Sequence, residues 1–244
     1  MSESPNPLIV ALDCGQAGTA LNLVDRLQPH VSLFKVGLQL FISAGPPIVG
    51  QILERGAKVF LDLKLHDIPN TVARAAIEAG RLGVQMLTLH TLGGISMMSH
   101  ARHQVRDRSR LEGWPAPRLL GVTVLTSMDE RELGGVGIQT PPGPAVVRLA
   151  RQAREAGLDG LVASPRELQA LREAGLGSLL FVTPGIRPEG APADDQARTR
   201  TPAQAIAAGA DYLVVGRPIT KASDPAQAAR RIGAEIRRAR IDAK

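Results

Sequence analysis

The chain has 244 residues, 44% of them hydrophobic and 21% charged, with a net charge of +6 and a pI near 10.2; it is long enough for a substantial α/β core and has the composition of an ordinary globular protein. No apolar run approaches the roughly 18 residues of a membrane span, and Met1 to Pro7 lack the basic and apolar regions of a signal peptide. Cys14 is the single cysteine, which excludes an intrachain disulfide or thiolate cluster and fits a soluble protein of the reducing cytoplasm.

Short apolar runs alternate with longer amphipathic stretches along the whole chain. Strands are predicted at Leu8 to Asp13, Leu33 to Gly37, Lys58 to Leu63, Met86 to His90, Leu119 to Leu125, Gly160 to Ala163, Leu179 to Val182 and Tyr212 to Val215. Between them lie helical patterns such as Thr71 to Leu82, Pro144 to Ala156, Pro165 to Ala174 and Pro202 to Ala208. Several of these open with proline and stop at Gly83, Gly157, Gly175 or Gly209. Eight strand-helix units in one domain's length point to a single (β/α)8 TIM barrel over residues 1–244 rather than a doubly wound sheet. No linker or low-complexity segment interrupts it. Pro188 to Thr201, rich in Pro, Ala and Asp, reads as a long mobile loop after the seventh strand, of a length often used for lids.

Polar residues fall where a barrel enzyme builds its site. Asp13, Asp62, Lys64, Thr126, Ser127, Pro184-Gly185 and Gly216-Arg217 stand at or just beyond the carboxyl ends of predicted strands. Within Asp62-Leu63-Lys64-Leu65-His66-Asp67, strand periodicity points Asp62 and Lys64 to one face and leaves Asp67 in the following loop. Only five of the 29 Lys and Arg residues are lysine, and two of these, Lys35 and Lys64, lie inside apolar runs. An ammonium is a compact charge that can deliver a proton, whereas guanidinium stays protonated. Retaining lysine there suggests proton transfer or point-charge stabilisation; the plainer alternative is a snorkelling side chain or an internal ion pair. His66 reads as a packing residue, His90 as either structural or site-lining, Met97-Met98 as core, and Cys14 as a small inert side chain with no base beside it.

The motifs Leu8 to Asp13, Phe34 to Gly37, Asp62 to Thr71, Val122 to Ser127, Thr183 to Arg187, Asp194-Asp195-Gln196 and Val214 to Ile219 together resemble the orotidine 5'-phosphate decarboxylase family, in order and over nearly the whole chain. The resemblance implies a homodimeric barrel that converts orotidine 5'-monophosphate to uridine 5'-monophosphate and CO2, the last step of pyrimidine nucleotide synthesis, with no metal and no organic cofactor. It implies Lys64 as proton donor to C6, Asp62 beside the departing carboxylate, and Lys35 and Asp13 at the ribose hydroxyls and in the charge network. Asp67 and Thr71 would reach the partner subunit's site, with Ile68 beside them at the substrate. Thr126 or Ser127 would read the pyrimidine edge, Arg187, Gln196, Gly216 and Arg217 would hold the phosphate, and Pro184 would be a further substrate contact.

Charges ordered Lys35, Asp62, Lys64, Asp67 allow a network that is satisfied without substrate. Whether Asp62 repels the substrate carboxylate or orients Lys64 stays open at this level. Two rival readings exist. A keto-sugar phosphate enzyme of the same superfamily would need Mg²⁺ and a further acid near strand four, which ends instead in His90. A nucleic-acid-binding barrel is motivated by the pI but lacks paired Cys/His ligands, and aromatic residues are only 2%.

Overall fold

The computed structural model describes residues 6–188 and 200–242. Eight parallel strands, β1 (Leu8–Ala11), β2 (Leu33–Gly37), β3 (Lys58–Leu65), β4 (Met86–His90), β5 (Arg118–Val122), β6 (Gly160–Val162), β7 (Leu180–Thr183) and β8 (Tyr212–Val215), close in sequence order into a barrel. Each strand pairs with the next, and β8 returns to β1 through Leu8 to Leu213 and Val10 to Val215. All eight strands fall where the apolar runs place them, because a strand buried on both faces is apolar throughout.

Alternation along each strand divides the core in two. Leu8, Val10 and their counterparts pack outward under the helices, while Ile9, Leu33, Phe60, Met86, Leu120 and Val214 meet inside the barrel. The inward positions climb each strand in steps of two. From Ile9 they pass through Ala11 to Asp13, from Leu33 to Lys35, and from Phe60 to Asp62. The lower barrel is therefore filled with hydrocarbon, and the first polar layer appears at the carboxyl ends of the strands.

Several boundaries differ from the sequence expectation for identifiable reasons. β5 stops at Val122, where its neighbour β6 also ends, so Val124, Leu125 and Thr126 belong to a loop. β3 continues to Leu65 through a register shift, and alternation alone does not describe Lys64. The helix expected over Pro165 to Ala174 is only Leu168–Glu173, because Glu167 accepts the Ser164 N–H at 2.9 Å and folds the preceding residues into a turn. The helices Pro69–Arg81, Pro142–Glu155 and Pro202–Ala207 carry proline in their first turn. Gly83, Gly157, Gly175 and Gly209 follow the predicted helix ends, all with φ between 76° and 98°, a range that L side chains avoid. Met97 and Met98 are core residues. Among the described residues no helix is long and apolar enough to cross a membrane.

Gly160 shows how tightly the barrel closes between β6 and β7. A Cβ there would stand 2.5 Å from the Leu180 carbonyl oxygen and 2.7 Å from Leu180 Cβ, positions fixed by the strand ladder. Gly160→Ala is expected to destabilise the fold by about 2 kcal/mol, the usual scale of overpacking, measured by urea denaturation; a change near zero would mean that the strands separate more easily than this packing implies.

Candidate active site

The residues above the hydrocarbon layer surround one cavity of about 250 Å³ at the mouth of the barrel. β1, β2 and β3 supply its charged wall. Asp13 follows β1, Lys35 lies within β2, and Asp62 and Lys64 lie on β3. Lys35 Nζ donates to Asp13 Oδ1 at 3.0 Å and lies 3.7 Å from Asp62 Oδ2, while Lys64 Nζ donates to Asp62 Oδ1 at 2.9 Å. Asp62 thus holds an ammonium at each of its two oxygens. Its side chain is only 13% exposed, so these contacts act in a medium less screening than water. Gly37 leaves room for the arrangement, since a Cβ there would come within 3.0 Å of Lys35 Nζ.

Lys64 reaches Asp62 through an irregular backbone. Its φ is +51°, which makes it the only non-glycine residue with positive φ among those described. Three residues of β3, 62 to 64, face the single residue Thr88 between the pairs Leu61 to Leu87 and Leu65 to Leu89. A lysine in left-handed backbone costs roughly 1–2 kcal/mol, and bulges of this kind often re-aim a side chain beside a site.

The opposite wall is formed by backbone and arginine. Pro184, Gly185 and Arg187 follow β7, while Gly216 and Arg217 follow β8. Arg200, from the far side of the intervening loop, pairs with Ile186; the Arg187 N–H donates to the Arg200 carbonyl at 3.0 Å and the Arg200 N–H to that of Gly185 at 3.3 Å. The base of the predicted loop is thereby tied to the site. Gln196 and most of the expected lid lie outside the described residues. Thr126 lines the cavity, whereas Ser127 is exposed and does not.

The expected charge order needs one correction. Asp67 lies on the exposed loop after β3, accepts its neighbour Ile68's N–H at 2.6 Å, and makes no salt bridge with a described residue. Within one chain the network runs Asp13, Lys35, Asp62, Lys64. Ile68 and Thr71 are exposed beside Asp67 and do not line this cavity.

His90 stacks on His66 with ring centroids 5.3 Å apart, and its Nδ1 accepts the Leu92 N–H at 3.4 Å. Burial, followed by the nearby His66 and Lys64, lowers its pKa and favours neutral imidazole. The Cys14 thiol is pushed upward, chiefly by burial and less by Asp13, against a backbone hydrogen bond with Gln16, consistent with an unreactive thiol. Sequence reasoning missed Thr88 and Ser164. Both lie on the inward positions, two residues after Met86 and Val162, but in sequence they resemble filler.

The sequence model of the "Orotidine 5'-phosphate decarboxylase / HUMPS family" matches residues 6–232. The chain belongs to this family. An orotidine 5'-phosphate decarboxylase from Moorella thermoacetica is 53% identical over 94% of this chain and 91% of its own. One from Pseudomonas fluorescens strain SBW25 is 50% identical over 97% of this chain and all of its own. A crystal structure of orotidine 5'-phosphate decarboxylase from Lactobacillus acidophilus superposes with a TM-score of 0.84 at 38% identity, covering 95% of this chain and 99% of that one.

For this family member the charged wall sets a stability test. Asp62→Asn leaves the Lys35 and Lys64 ammoniums facing each other with only Asp13 to neutralise them. A loss of about 3 kcal/mol in urea denaturation is expected, with partial recovery when Lys64→Met is added. Equal stability of the single variant and wild type would show that the network contributes nothing net to folding.

Proposed function

We propose that the protein decarboxylates orotidine 5'-monophosphate to uridine 5'-monophosphate and CO2, the last step of UMP biosynthesis. The observation that carries the reading is an ammonium held by a carboxylate against a cavity whose far wall is arginine and glycine backbone. Departure of CO2 from C6 leaves an electron pair in a ring orbital with little access to resonance. A fixed cation against that carbon stabilises the developing charge, and the same cation can then transfer its proton. Lys64 takes both roles, and Asp62 orients it and meets the substrate carboxylate.

Lys35 and Asp13 take the ribose hydroxyls. Arg187, Gly216 and Arg217, with Gln196 and Pro184, take the phosphate, which suits a fork of donors beside closely approaching backbone. Thr126 takes the pyrimidine edge, in preference to Ser127, because it lines the cavity. Remote phosphate binding can then supply the energy that orders the site and excludes water. Asp13 and Asp62 are both engaged by ammoniums, and β4 ends in a histidine, which favours this reading over a Mg²⁺-dependent keto-sugar phosphate reaction. No cofactor is assigned.

A second copy of the chain completes the proposal. Leu38, Ile42, Ile68 and Leu92 are exposed by 51%, 78%, 67% and 42% on segments following β2, β3 and β4. An apolar rim of this kind suits an interface between copies, and it carries Asp67 and Thr71 towards the partner's cavity. Nucleic acid is not assigned as a partner despite the pI. Arginines such as Arg55, Arg81 and Arg102 are paired with Asp25, Glu112 and Asp159, which offsets part of the positive charge. The activity is placed in the cytoplasm, where a partly buried free cysteine remains reduced.

EDTA-treated protein mixed with orotidine 5'-monophosphate is expected to lose substrate absorbance rapidly, and Lys64→Ala to show no detectable conversion. An inactive wild type regaining activity only on keto-sugar phosphates with Mg²⁺ would overturn the assignment. The shared site predicts complementation: Lys64→Ala mixed with Asp67→Asn should recover up to about one quarter of wild-type activity, because half of the randomly formed dimers contain one intact site. No recovery after confirmed subunit exchange would place Asp67 outside the partner's site.

A further inference from the structure

Thr88 occupies the centre of β4, fully buried, opposite the irregular segment of β3. Its Oγ1 accepts the backbone N–H of Lys64 at 2.8 Å and stands 3.0 Å from Asp62 Oδ1. A carboxylate at neutral pH can only accept, so the single hydroxyl proton is directed to Asp62 and a lone pair receives the Lys64 N–H. One oxygen therefore satisfies a partly buried backbone donor that the register shift withdraws from ordinary strand pairing. The same oxygen fixes the carboxylate that receives Lys64 Nζ.

We infer that Thr88 is a positioning residue for the decarboxylation: it holds Lys64 in left-handed backbone and fixes the rotation of Asp62, so that the Lys64 ammonium stands aimed into the cavity before substrate arrives. The inference rests on the functional reading above for what Lys64 does, but its geometric content does not. β-branching restricts the Thr88 side-chain torsion, which suits an oxygen required to serve two partners. Valine in its place keeps the shape and removes both contacts. The Lys64 N–H then loses its acceptor, and Asp62 Oδ1 loses the donor that fixes its rotation and holds it in place for Lys64 Nζ. A displacement near 1 Å of a group that acts at a reacting carbon can lower turnover by about two orders of magnitude.

The test compares wild type, Thr88→Val and Thr88→Ser. Thr88→Val is expected to lower kcat on orotidine 5'-monophosphate by about 10- to 100-fold while KM, and inhibition by uridine 5'-monophosphate, change by less than about threefold. Thr88→Ser, which keeps the hydroxyl, should restore kcat to within about threefold of wild type. A merely structural role would lower Tm in both variants without separating kcat from KM. Unchanged kcat in Thr88→Val, or a parallel rise in KM, would overturn the inference. If Thr88→Val does not fold, Thr88→Cys, a weak donor and acceptor, takes its place with the same expected loss. Crystal structures of wild type and variant supply a readout independent of turnover: Lys64 Nζ should leave hydrogen-bond reach of Asp62 in the variant, and an unchanged Lys64 backbone and side chain would overturn the inference. A wild type that does not convert the substrate would instead overturn the decarboxylase reading, and the structural comparison would still decide the role of Thr88.

Discussion

A carboxylate gripped by two ammoniums is the constraint around which the mouth of this barrel is arranged. Asp62 meets Lys64 at 2.9 Å and Lys35 at 3.7 Å, and such a group cannot be placed on an isolated strand. It requires β2 and β3 in register, with Gly37 opposite Asp62. It requires Asp13 after β1 to share the charge of Lys35. It also requires β3 to break its own pleat so that Lys64 can turn towards Asp62. The barrel provides these conditions because its lower interior is rigid hydrocarbon, on which a polar layer can be mounted with little freedom to relax.

This explains why strain and charge concentrate in the same few residues. Lys64 is the only described non-glycine residue in left-handed backbone, and its N–H is met by Thr88 in place of a regular ladder partner. A fully apolar mouth would be less demanding to fold. The ion network is instead arranged before any substrate enters, as the proposed electrostatic stabilisation of a developing carbanion requires: the dipoles and charges would not have to reorganise during the reaction. The arginine and glycine wall after β7 and β8 lines the other side of the cavity, where the proposed reading puts the phosphate, away from the reacting carbon.

Much of this was legible in the sequence. Apolar runs located all eight strands because parallel strands are buried on both faces, and the glycines at positions 83, 157, 175 and 209 marked helix ends because each adopts positive φ. Lys35 and Lys64 were conspicuous as lysines within apolar runs of an arginine-rich chain. What stayed hidden depended on pairing between strands. The bulge in β3 is a relation between β3 and β4, so alternation within one strand could not reveal it. Thr88 became visible only as the residue opposite that bulge. Asp67 was grouped with the network by proximity in sequence, yet the turn after Leu65 carries it to the exposed rim.

The central claim is that Lys64 delivers a proton to C6, and microscopic reversibility makes that step observable from the product side. Uridine 5'-monophosphate incubated with the protein in D2O, followed by ¹H NMR at C6, should exchange its hydrogen for deuterium with wild type and not with Lys64→Ala. Exchange proceeding equally with both proteins would assign the proton to another group and contradict the account.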